Sequence, residues 1–111
     1  MKGFRLKPKI WIDALRRRAE TSGAFVMVIK SGDPDGGSIA VQTLSQDEKV
    51  SLYTAQTQID GSRAWAEQAN LTPEEVAKRL SSLKKMDEDI WIVEVMDGQG
   101  RHFINEPILM M

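Results

Sequence analysis

The segment Ser31-Gly32-Asp33-Pro34-Asp35-Gly36-Gly37 constrains this chain more than any other. It separates two apolar runs, Ala24 to Ile29 and Ser38 to Leu44. Proline fixes φ and removes a donor, glycine admits positive φ, and short carboxylates bond back to nearby amides. Neither a strand nor a helix continues through such a composition, so the chain must reverse here. Extended runs on both sides of a reversal predict an antiparallel hairpin at the centre of the fold.

The other extended runs build on that hairpin. Ala24 to Lys30 is apolar on both faces, with Phe25, Met27 and Ile29 on one and Ala24, Val26 and Val28 on the other. That pattern suits a central strand covered on both sides. Ser38 to Leu44 directs Ile39 and Val41 inward and Gln42 outward. After the polar turn Ser45-Gln46-Asp47-Glu48, Lys49 to Ala55 directs Val50 and Leu52 inward. These three strands predict an antiparallel meander. Arg63 to Gln68 combines an alternating pattern with helical alanine content, and the alternation is preferred as a fourth strand. Ile90 to Met96 is a further strand with Trp91, Val93 and Val95 on one face. The turn Asp97-Gly98-Gln99-Gly100 then predicts a return strand that pairs Asp97 with Arg101 and Val95 with Phe103.

Two segments read as helices. From Lys9 to Ser22, Ile10, Trp11, Ala14, Leu15 and Ala19 recur at helical spacing, with Pro8 before them and Gly23 after. The second follows Leu71-Thr72-Pro73-Glu74-Glu75-Val76. Thr72 is the N-cap, Pro73 opens the helix, and Glu75 completes a capping box, while Leu71 and Val76 form a hydrophobic staple. Val76, Leu80 and Leu83 form its buried stripe. The fold class expected is α+β: a mainly antiparallel sheet of five or six strands with two helices packed largely on one face, because each helix has a single apolar stripe. A chain of 111 residues is expected to form one domain over 1–111.

Composition limits the chemistry. There is no cysteine, which excludes disulfides, thiolate metal sites and cysteine nucleophiles and suits a reducing cytoplasm. The single histidine, His102, is too little imidazole for most zinc sites and acid–base dyads. No cofactor and no metal are expected. A net charge of −1 argues against a general pull toward nucleic acid or an acidic membrane. No apolar run has bilayer-spanning length, and Met1-Lys2-Gly3-Phe4-Arg5 lacks the apolar region of a secretory signal.

Three blocks together resemble a known family. They are Arg5-Leu6-Lys7-Pro8-Lys9-Ile10-Trp11 running into Ala14-Leu15-Arg16-Arg17, the turn Gly32-Asp33-Pro34-Asp35-Gly36-Gly37, and Asp89-Ile90-Trp91-Ile92-Val93-Glu94-Val95 with Gly100-Arg101-His102-Phe103. In this order they resemble the small alphaproteobacterial proteins grouped as domain of unknown function 1491. The resemblance implies a stand-alone bacterial protein of α+β type. It brings no activity, cofactor or catalytic residue.

Each candidate site also has a purely structural reading. Asp33 and Asp35 could face a divalent cation, but the stretch that should carry an EF-hand's later ligands holds Ile39, Val41 and Leu44, so turn chemistry is preferred. His102 beside Arg101 would need an orienting carboxylate such as Asp97, Glu94 or Glu106, and no nucleophile is placed beside it. A pocket joining Asp33, Asp35, Arg63, Arg101 and His102 would make the protein a small-ligand binder or an enzyme. Arg5, Arg16 and Arg17, adjoining Arg18, could contact nucleic acid with Trp11 and Trp65 stacking on bases; Trp11 also fits the apolar stripe of its helix. Trp65 and the tail Ile108 to Met111 exceed the apolar surface a domain this small is expected to cover. The preferred expectation is therefore a non-enzymatic cytoplasmic module that binds another protein or itself as a homodimer.

Overall fold

The computed structural model describes residues 6–44 and 49–110. The predicted polar turn at 45–48 and residue Arg5 lie outside the described residues. The elements are α1 (Pro8–Thr21), β1 (Phe25–Lys30), β2 (Ile39–Leu44), β3 (Val50–Thr57), β4 (Arg63–Leu71), α2 (Pro73–Met86), β5 (Trp91–Met96) and β6 (Ile108–Met110).

Local signals set the helices. Pro8 opens α1, and Ser22 ends it with its amide on the Ala19 carbonyl. Thr72 caps α2 as expected: its hydroxyl accepts the Glu75 amide at 3.2 Å, and the Glu75 carboxylate accepts the Thr72 amide at 3.0 Å. The alternation across Arg63 to Gln68 is a strand, and it extends to Leu71.

The six strands form one mixed sheet in the order β1-β5-β2-β3-β4-β6. β2, β3 and β4 make an antiparallel meander, one strand later in the chain than predicted. The central hairpin does not form. β5 lies between β1 and β2, antiparallel to β1 and parallel to β2, with Val93 opposite both Val28 and Val41. The second parallel pair joins β4 to β6. The sheet is thus less uniformly antiparallel than the sequence suggested. The reversal at 31–37 crosses the end of β5 and closes no ladder.

The reason lies in burial. β5 is apolar on both faces, and Trp91, Ile92, Val93 and Val95 are all buried. It therefore takes the interior position that the similar pattern of β1 seemed to claim, and β1 is an edge. Because β1 and β2 occupy both sides of β5, no ladder remains for Phe103, and the predicted pairing with Val95 is absent.

The helices cover opposite faces, which corrects the one-face expectation. Trp11, Ile12, Leu15 and Ala19 of α1 pack with Val26, Ile39, Val41, Tyr53, Trp65, Trp91, Val93 and Val95. Leu80 and Leu83 of α2 pack instead with Ala40, Leu52, Ile90 and Ile92. Neighbouring residues on β2, β3 and β5 alternate between these clusters, so the strands need a layer on each side. Trp65 is fully buried, and Ile108–Met110 pairs beside it as β6. The surplus apolar surface expected at Trp65 is thus absorbed by the fold, whereas Leu109 of the tail stays 42% exposed.

Candidate functional site

The loop between β1 and β2 folds around the start of β5. The Asp33 amide donates to the Asp89 carbonyl at 3.0 Å, and the Asp33 carbonyl accepts the Trp91 indole N–H at 2.8 Å. The Asp33 carboxylate accepts the Asp35 amide at 3.0 Å, the turn chemistry anticipated for it. The Trp91 amide reaches the Ser38 carbonyl at 2.8 Å. From α2's far end, the two Asp87 carboxylate oxygens accept the Ser38 and Asp89 amides, both at 2.9 Å.

This loop forms one wall of a polar cleft of about 320 Å³, which the start of α1 and the ends of β3 and β4 complete. Arg63, at the first position of β4, lines it while only 4% exposed, its guanidinium 5.8 Å from the centre of the Trp11 ring. At the rim, Lys7 pairs with Asp35 at 3.4 Å, both side chains largely exposed. Lys7 is also the N-cap of α1, and it supplies no side-chain acceptor to the helix amides.

The structure therefore brings Asp35 and Arg63 to one cleft, with Asp33 bracing its wall. It does not bring Arg101 and His102 there. Arg101 lies past the opposite end of β5, where it pairs with Asp97 at 2.8 Å and places its guanidinium 4.8 Å from the centre of the Phe103 ring. The predicted proximity of Asp97 and Arg101 holds, through side chains and a turn amide instead of a strand pair. Hydrogen bonds from Arg101 hold the Asp97 carboxyl well below the usual carboxylate range. His102 packs edge-on against Tyr53, with ring centres 4.9 Å apart, and its Nδ1 accepts the Ile104 amide at 2.8 Å. Burial lowers the His102 pKa, opposed by the Glu67 charge. Tyr53 donates to Glu67 at 2.8 Å; burial, with that bond, raises the phenol well above its ordinary value.

Glu106, a candidate partner for His102, has a different task. Its Oε1 accepts the indole N–H groups of both Trp11, at 2.8 Å, and Trp65, at 2.9 Å. Both indoles are buried and unable to stack on bases. Arg17 is exposed on α1 and Arg16 half-buried. Arg18 instead clamps the Phe103 carbonyl at 2.9 and 3.2 Å, where Phe103 has φ 61°. Burial lowers the Arg18 pKa, with Glu106 opposing the shift. Among the described residues, no group of three His, Asp or Glu side chains could hold a metal ion.

Sequence reasoning missed Lys7, Ser38 and Asp87 as neighbours of Arg63. The Asp87-Glu88-Asp89 run has the polar chemistry of a loop, but a linear pattern does not report that it meets a loop about 50 residues earlier in the chain.

A second exposed feature lies on β1. Phe25, Met27 and Ile29 share the face opposite α1 and are 56%, 46% and 46% exposed. Half-buried Met96 lies opposite Phe25, and exposed Leu44 lies beyond it on β2. The packing of α2 centres on β3 and β4 and leaves this margin open.

Residues 6–105 match the model of a family of unknown function, DUF1491. The chain belongs to the DUF1491 family. A crystal structure of a DUF1491 protein from Caulobacter crescentus CB15 is 35% identical, with a TM-score of 0.83 over 95% of this chain and 100% of that one. An NMR structure of a DUF1491 protein from the same organism agrees, with 35% identity and a TM-score of 0.83 over 96% and 99% of the two chains. The solution structure of an A. tumefaciens protein is 26% identical, with a TM-score of 0.80 over 93% and 95%. No curated protein matches the chain. Both the cleft and β1 lie inside the DUF1491 match, whereas β6 lies beyond it. Among the described residues, no helix is long and apolar enough to cross a membrane.

Proposed function

We propose that this DUF1491 protein is a docking module that pairs with a second copy of itself through β1. The observation that carries this reading is an edge strand whose open face presents Phe25, Met27 and Ile29. An edge strand offers unpaired backbone groups, and soluble proteins usually blunt it with an outward lysine, a proline or a bulge. From Phe25 to Ile29 there is no charge and no proline. Lys30 is turned back onto the Glu88 and Ile90 carbonyls at 2.7 and 3.0 Å. The register shift falls only after Val28, which leaves the preceding four residues regular.

The area supports a second copy as the occupant. Phe25, Met27, Ile29 and Leu44 leave on the order of 350 Å² of apolar surface open, within the usual size of a functional patch. Two copies would contribute roughly half of the ~1,600 Å² in a standard interface, with the strand edges and flanking polar groups supplying the rest. An antiparallel β1–β1 pair places equivalent side chains on one continuous face and needs no complementary sequence from another protein.

Sedimentation velocity across the micromolar range tests this. The expected result is a monomer–dimer equilibrium that Met27→Lys shifts to monomer, with the urea midpoint unchanged at concentrations low enough for both chains to be monomers. A wild-type chain that stays monomeric throughout, or a dimer indifferent to Met27→Lys, overturns it.

A further inference from the structure

We propose that the cleft at the start of α1 binds a small zwitterion of the α-amino-acid class, its carboxylate on Arg63 and its ammonium group on Asp35. The site is separate from β1 and does not depend on self-association.

The cleft contains both charge signs in equal number: Lys7 and Arg63 against Asp35 and Asp87. A phosphate or other bare anion would meet two carboxylates, and a bare cation would meet a buried guanidinium. A ligand with both charges suits the whole lining. Its carboxylate end belongs with Arg63, whose planar donors recognise carboxylates in a bidentate manner and whose burial against Trp11 holds them in place. The positive end of α1 adds a favourable field on the same side, since Leu6, Lys7 and Pro8 line the cleft.

The carboxylates divide by role. Both oxygens of Asp87 are engaged by the Ser38 and Asp89 amides, so that group is a brace for the loop. Among the described residues, the Asp35 carboxylate pairs with Lys7 through one exposed contact at 3.4 Å. Such a pair gains little in water and yields readily to an arriving ammonium group. Ser38, Gln56 and Thr57 provide polar walls, and 320 Å³ is at the small end of ligand pockets.

The test is a ¹⁵N NMR titration of the full chain with L-alanine and L-glutamine, with acetate, methylammonium and inorganic phosphate as controls. The expected result is saturable movement of the Gly36, Gly37 and Ser38 amides and the Arg63 Nε–H signal with an amino acid, each control being about tenfold weaker or worse. Asp35→Asn, at an exposed rim position, should weaken amino-acid binding about tenfold at an unchanged unfolding midpoint. Three results overturn the proposal: no saturable shifts with either amino acid, acetate or phosphate binding as well as the amino acids, or an Asp35→Asn variant that binds them normally.

Discussion

Gly37 and Asp89 meet backbone to backbone: a β-carbon on Gly37 would overlap the Asp89 carbonyl. Gly32 makes the same approach from the other side of the loop. The two glycines let the 31–37 segment close around the chain entering β5. Their need for space reflects strand insertion more than the bare turn geometry read from the sequence.

Gly37→Ala should therefore destabilise the protein by about 3 kcal/mol, because the clashing atom is backbone and cannot swing aside. Gly36→Ala, one residue earlier, should stay within about 0.5 kcal/mol, since its nearest neighbour would be the Asp33 carboxylate at an ordinary 3.6 Å. Urea unfolding of the two variants measures the difference; equal midpoints would contradict the close approach to Asp89.

Glu106 ties the last segment to the core through two indoles whose ring centres are 4.8 Å apart. Glu106→Ala strands both N–H groups and should cost about 2–4 kcal/mol. Glu106→Gln keeps an oxygen acceptor and loses only charge assistance, so about 1 kcal/mol is expected. Denaturant midpoints followed by tryptophan fluorescence should rank the variants in that order.

His102 should impart a pH dependence to stability. Its folded pKa lies below the unfolded value of about 6.5, so in the interval between them the unfolded chain binds more protons. The contribution is fully present above about pH 6.5 and is lost as pH falls toward the folded value. Protonation also turns Nδ1 from an acceptor into a donor facing the Ile104 N–H. With one histidine in the chain, His102→Gln should flatten the urea-midpoint profile just below about pH 6.5. NMR titration of the imidazole should give a midpoint below the unperturbed value.

The legible parts of the molecule were local. The Thr72–Glu75 capping box lies within four residues, and the apolar stripe of α1 within four turns. The alternation at Arg63 was sufficient to identify β4. The cleft was half legible: Asp33, Asp35 and Arg63 stood out as polar residues in telling places, but Arg101 and His102 were grouped with them on chemistry alone. Nothing in a linear pattern reports that β5 carries Arg101 to the end opposite Asp87.

Strand order was beyond the sequence because β1 and β5 present nearly the same pattern, apolar on both faces. Which becomes interior depends on where both layers of cover fall. Here α1 lies over one face and α2 over the other, leaving Phe25, Met27 and Ile29 at an open margin. The chain by itself determined its helices, caps, most of its strands and the reversal at 31–37, because those follow from spacing and backbone chemistry among near neighbours. Only the tertiary structure decided that β5 enters between β1 and β2, because pairing between distant segments is chosen by the burial of whole faces.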